Sequence, residues 1–158
     1  MSEIKYRSLK HWKYELLEAT KCEVDIPEAV GTEYITVNAG ALFVHARYAW
    51  DGPSGPTFDT PTNMRASLFH DALCQLICDG ALDKKYRKYA DELLRVHMLE
   101  DQVLDADGKL KIYGAGGRII YESKKKTGWK RKIYLSWGKF RAWGYCQAVR
   151  TYSKLKGM

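Results

Sequence analysis

The sequence predicts an α+β fold: a small N-terminal antiparallel β-sheet packed on a three-helix unit, with a hairpin-like insertion before the last helix. Three observations predict it. Runs rich in β-branched and aromatic residues lie between Tyr34 and Tyr48. Two stretches of helical periodicity come after residue 60, and a third closes the chain.

With 158 residues, 46% of them hydrophobic, the chain is long enough for one complete core and short for two, so residues 1–158 read as a single domain. Five Trp and eleven Tyr argue against disorder and for a packed interior or an aromatic contact surface. A net charge of +7 favours nucleic acid, anionic lipid or an acidic protein as partner and names no activity.

Tyr14 to Ile26 reads as extended, because Pro27 and Gly31 interrupt the chain just after it. Tyr34–Val37 and Leu42–Tyr48 read as strands joined by a turn at Asn38-Ala39-Gly40. Trp50–Thr57 carries two Gly and two Pro in eight residues and must be a tightly specified loop. Thr60 can cap the first helix, Pro61 suits its first position and Gly80 can end it, with Phe69, Leu73, Leu76 and Ile77 on its core face. The second helix is expected from about Leu82 to Val103, with Tyr86, Ala90, Leu93 and His97 on one stripe, antiparallel to the first. Residues 104–136 mix turn signals with short β-like runs such as Arg118–Tyr121 and read as an inserted basic hairpin or loop. Trp137 to Leu155 is the third helix.

Cys22, Cys74, Cys78 and Cys146 have no CxxC pairing and read as buried free thiols rather than a metal site or disulfides. The N-terminus lacks the apolar segment of a signal peptide, and no run is long enough to span a bilayer, so a reducing cytoplasm is expected.

The His70-Asp71 pair inside Ser67-Leu-Phe-His-Asp-Ala-Leu-Cys-Gln-Leu76 is the main chemical candidate. Neighbouring side chains on a helix project about 100° apart, so the two are expected to serve different partners. His70 would turn toward a carboxylate on the second helix, such as Asp91, and Asp71 toward the Gly-Pro loop and a metal held there. In that arrangement His70 is a general base toward water, Asp91 fixes its tautomer and a hard cation polarises a carbonyl. The plainer alternative has His70 bonding a core carboxylate or a backbone carbonyl, Asp71 bracing the loop, and Asp91 as a surface charge paired with Arg87 and Arg95. Around Asp51 and Gly52 the loop offers the oxygen donors calcium prefers, or it is simply a tight turn. Lys124, Lys125, Lys126, Trp129, Lys130, Arg131 and Lys132 form a basic cluster able to meet phosphates and stack or insert an indole, or a solvated loop.

The ordered pattern Ile35-Thr-Val-Asn-Ala-Gly40, Trp50-Asp-Gly-Pro-Ser54, His70-Asp71, Ala90-Asp91 and Ala148-Val-Arg150 resembles an uncharacterised family of bacteriophages and prophages. Members carry a "TVPAG…DxAS" segment and "HDxLY", "AD" and "AVR" helices. Here Asn38 replaces the usual Pro and Cys74 stands near the usual Tyr. A second resemblance, through Gly52-Pro53, Pro61-Thr-Asn63, His70-Asp71 and Tyr86-Arg-Lys-Tyr-Ala-Asp91, is to the phospholipase A2 domain of parvovirus capsids. It implies His70 as base, Asp91 as its support, and Asp71 with Gly52 and nearby carbonyls as calcium ligands.

Together the resemblances imply a bacteriophage-encoded protein of the host cytoplasm or the virion with a calcium-assisted ester hydrolase site, and the charge of the basic cluster would bring it to anionic membrane lipid. The alternative expectation is a non-catalytic virion or tail-assembly component, or a protein that binds a host factor. Nucleic-acid binding through residues 124–132 is a third.

Overall fold

The computed structural model describes residues 4–9, 14–53, 61–100, 111–113 and 119–122, together with helical positions 136, 139, 140, 142–144, 146–148, 150 and 151. The basic cluster at 124–132 lies outside them. Seven short strands occupy the N-terminal third: β1 (Tyr6–Ser8), β2 (Tyr14–Leu16), β3 (Thr20–Glu23), β4 (Val30–Gly31), β5 (Ile35–Asn38), β6 (Ala41–Val44) and β7 (Ala49–Trp50). The expected antiparallel sheet is present in two parts, one ordered β1-β2-β7 and the other β3-β6-β5-β4, every pairing antiparallel. Backbone bonds from Leu16 N to Tyr48 O (2.9 Å) and from Arg47 N to Leu16 O (2.7 Å) tie the strand β2 to the bend after β6. At that bend Arg47 takes a positive φ of 73°, which is why the expected strand Leu42–Tyr48 stops at Val44.

Strands β5 and β6 form a hairpin with Ile35 opposite Val44 and Asn38 opposite Ala41. Its two-residue loop has positive φ at both Ala39 (49°) and Gly40 (74°), the geometry whose twist matches that of the flanking strands. Alternation along both strands follows from the pleat: Ile35, Val37, Leu42 and Val44 are fully buried, their neighbours less so.

The helix α1 (Pro61–Cys78) is the centre of the molecule. Every residue from Asn63 to His70 is buried, so this helix must be covered on more than one side. Leu68, Phe69, Leu73, Leu76 and Ile77 share a core with Leu16, Ile35, Val37, Leu42, Tyr48 and Trp50 of the sheets. Ala66 belongs to a second cluster with Leu94, Met98 and Ala142. Gly80 at φ 73° ends the helix as the sequence predicts, with Asp79 N bonded to Gln75 O.

The second helix begins later than its periodicity suggests. Asp83 is extended (φ −63°, ψ 141°) and accepts a bond from Lys85 N, capping a 3-10 turn over Lys84–Tyr86 that leads into α2 (Arg87–Glu100). Contacts from Arg65 to Glu100 and from His70 to Asp91 run in opposite sequence order on the two helices, which are therefore antiparallel. In the C-terminal helical segment, Ala142 and Cys146 are buried one turn apart. Within the region expected to be an insertion, β8 (Lys111–Tyr113) and β9 (Ile119–Glu122) pair antiparallel, with a register irregularity at Ile112/Tyr113.

Of the four cysteines, all of them free, Cys146 is buried, Cys22 and Cys74 are partly exposed and Cys78 is exposed. The expectation of four buried thiols is corrected: Cys78 occupies the last, open turn of α1.

Trp50 links sheet to helix. It is 1% exposed, and its indole Nε1 donates to Ser67 Oγ (3.3 Å), which donates on to Met64 O. Removing the ring leaves a large void and takes from the Ser67 hydroxyl the bond it accepts. Trp50→Ala is expected to cost about 3–5 kcal/mol in urea unfolding; a loss under about 1 kcal/mol would contradict its place in the core.

Candidate functional site

His70 is 6% exposed on the side of α1 that meets α2. Its Nε2 stands 3.0 Å from Asp91 Oδ1 across the helix pair, and its Nδ1 stands 3.2 Å from Asp71 Oδ1. The first contact is the interhelical one the sequence predicts. The second corrects the expectation that adjacent His and Asp side chains diverge, because side-chain rotation closes a gap that the helical angle alone would open. Cys74, one turn further along α1, places Sγ 3.5 Å from the same Nε2.

Asp91 is 3% exposed, so the reading of it as a surface charge is corrected too. Arg87, one turn earlier on α2, brings Nε within 3.7 Å of Oδ1, and Arg150 from the C-terminal segment brings Nε within 3.5 Å of Oδ2. The main-chain carbonyl of Asp91 accepts from the Cys146 thiol at 3.3 Å. Arg95 does not join this group; it pairs with Glu92. Asp91 thus gathers an imidazole and two guanidinium groups from three helical elements, and removing it would leave buried positive charge uncompensated.

Beside His70 Nδ1 lies Asp71, whose side chain is 27% exposed. Burial raises the Asp71 pKa, His70 works against that rise, and the neighbouring Asp51 carboxylate adds to it. Asp51 itself is exposed. Gly52 beside it is buried at φ 72°, and a Cβ there would sit 2.6 Å from the Tyr14 ring. Only glycine lets the loop pass this close. Tyr48, 4% exposed, faces the same region: burial first, then Asp71 and Cys74, push its hydroxyl upward in pKa.

Burial opposes a charge on His70, yet the Cys74, Asp71 and Asp91 groups outweigh it and hold the ring well above the ordinary histidine value. His97 behaves in the opposite way. It packs edge-on against Phe69 (5.5 Å), and burial, aided by Arg65, lowers it to about 4.

The structure brings His70, Asp71 and Asp91 into contact, and sets Gly52 against the Tyr14 ring. Sequence reasoning assigned no role to Arg150, although the Ala148-Val-Arg150 motif contained it, nor to Cys74, although it stands one helical turn after His70, nor to Tyr48, which carries no spacing signal. Among the described residues, no group of three or more His, Cys, Asp or Glu side chains is arranged to hold a metal ion. A cation here would have to take the two carboxylates of Asp51 and Asp71 and complete its shell from main-chain oxygens, which calcium accepts.

No family model, no curated protein and no solved structure matches this chain.

The two buried histidines predict opposite pH slopes. A raised folded-state pKa makes His70 stabilising below about 6.5, with that contribution lost as pH rises through its folded value. A depressed one makes His97 destabilising as pH falls from 6.5 toward about 4. Thermal unfolding of H70Q should flatten the alkaline decline of the wild type, and H97L the acidic decline. Parallel curves for wild type and H70Q above pH 7 would contradict the first assignment.

Proposed function

We propose that the chain is a bacteriophage-encoded protein whose phospholipase A2-like site hydrolyses an ester with the help of calcium. The carrying observation is the arrangement about one ring: Nε2 held 3.0 Å from the interhelical carboxylate Asp91, Nδ1 turned to the partly exposed Asp71. A general base needs one nitrogen fixed by an acceptor and the other presented to the reacting proton. Asp91 meets the first need, and the group beside Nδ1 is the partly exposed Asp71.

Asp71, Asp51 and main-chain oxygens near Gly52 would hold the calcium. When bound, the ion polarises the ester carbonyl and offsets the developing negative charge. The residues of the chain do the remainder. A cation held by Asp71 would weaken that carboxylate's hold on an Nδ1 proton, and in the neutral ring Nε2 keeps its proton on Asp91. Nδ1 then takes a proton from water as the water attacks the ester carbonyl, Asp91 stabilises the imidazolium that results, and the imidazolium returns that proton to the leaving alkoxide as the ester C–O bond breaks. Arg150, at the second oxygen of Asp91, holds that carboxylate in place.

Hydrolysis of a fluorogenic phospholipid should need Ca²⁺, stop on chelation, and fall roughly a hundredfold or more in H70N and D91N. D71N should raise the Ca²⁺ concentration required for half-maximal rate. An inert wild type at every Ca²⁺ concentration, with both phospholipid and short-chain esters, would sink the proposal.

A second reading is favoured by the same ring seen without a cation. Both nitrogens face carboxylates, and Asp91 lies among three cationic groups, which is what a buried brace needs. The protein would then be a non-catalytic virion or tail-assembly component, or a ligand of a host factor. That reading expects co-purification with phage particles, and an H70N variant that loses thermal stability while every binding activity of the folded protein persists.

A further inference from the structure

Charge is distributed very unevenly along this chain. Eleven of its 26 Lys and Arg residues come after Glu122 and none of its 19 Asp and Glu do, so the last 36 residues are net +11 and the first 122 are net −4. Asymmetry on this scale marks an anionic partner for one part of the chain. Within that basic part lie the two most exposed large apolar side chains among the described residues, Phe140 (59%) and Trp143 (55%). Three residues apart on one helical face, their rings touch at 6.2 Å with a 32° tilt, and exposed Lys139 adjoins them.

The opposite face of the same segment is fixed to the protein. Ala142 and Cys146 are buried, Cys146 Sγ donates to Asp91 O, and Arg150 reaches Asp91 Oδ2. The aromatic pair is therefore carried by the segment that completes the His70 cluster. We infer that the face bearing Phe140 and Trp143 is a docking surface for an anionic phospholipid bilayer.

Three features select this occupant. An indole and a phenyl ring beside basic groups suit the boundary between headgroups and acyl chains, where apolar burial and attraction to anionic lipid add. Their tilt and contact leave no gap between the two rings in which a nucleic-acid base could be sandwiched. Protein interfaces are depleted of charge at their cores, whereas this face sits in a segment of uniform positive sign. Among the described residues no helix is long and apolar enough to cross a membrane, so the face lies on the surface of a bilayer. The inference rests on the proposed hydrolase only for what the site would reach once docked; the surface chemistry stands apart from it.

The test is sedimentation of the full chain with sucrose-loaded vesicles of equal phosphatidylcholine and phosphatidylglycerol, and of phosphatidylcholine alone. Wild type and H70N should partition equally onto anionic vesicles, which separates docking from hydrolysis. F140S/W143S should partition at least about tenfold less, with an unchanged unfolding temperature, and all three should bind phosphatidylcholine weakly. W143S alone carries the comparison if the double variant does not fold. Wild-type partitioning by F140S/W143S, or no binding of wild type to anionic vesicles, overturns the inference. So does tight binding of a single-stranded oligonucleotide without vesicle binding, or dimerisation through Trp143 that leaves vesicle binding intact.

Discussion

One buried carboxylate organises the helical half of this protein. Asp91 meets the His70 ring from α1, the Arg87 side chain of its own helix and Arg150 from the C-terminal segment, while its carbonyl receives the Cys146 thiol. Desolvating a carboxylate is costly, and the cost is offset only when complementary charge surrounds it in good geometry. The three elements are thereby constrained to one mutual arrangement, since sliding any of them by a turn would strand a charge. Apolar packing of Ala66, Leu94, Met98 and Ala142 supplies the attraction, and Asp91 supplies the register.

The sheets serve the same centre from the other side. Trp50 is anchored by Ser67, one turn before Asp71 on α1, so the strand that ends at Trp50 is held against the helix that carries His70 and Asp71. Just beyond it, Gly52 takes a positive φ and passes close to Tyr14. Local conformation, core packing and the proposed chemistry thus converge on a single loop-to-helix junction.

Much of this arrangement was legible in the sequence. Pro61 and Gly80 bracket a helix with clear apolar spacing, and Asn38-Ala39-Gly40 marks a hairpin, because both signals are local and depend on backbone preference. The pairing of His70 with Asp91 was legible because two helices joined by a short link must run antiparallel. What escaped were tertiary facts: the split of the strands into two sheets, the burial of Asp91 beneath a third helical segment, and the recruitment of Arg150 from 59 residues away. No spacing rule reports a contact that depends on how distant elements fold over one another. The contact between His70 and Asp71 escaped for a smaller reason, since backbone periodicity constrains directions and leaves side-chain rotation open.

The central claim is that His70 is a base held by Asp91 and governed by what binds at Asp71. Long-range proton–nitrogen NMR of the histidine rings during a Ca²⁺ titration tests it most directly. The account predicts that the ring shifts, as Ca²⁺ saturates, toward the neutral form protonated on Nε2. A ring whose two nitrogen shifts stay fixed across millimolar Ca²⁺ would contradict it and leave the cluster as a brace alone.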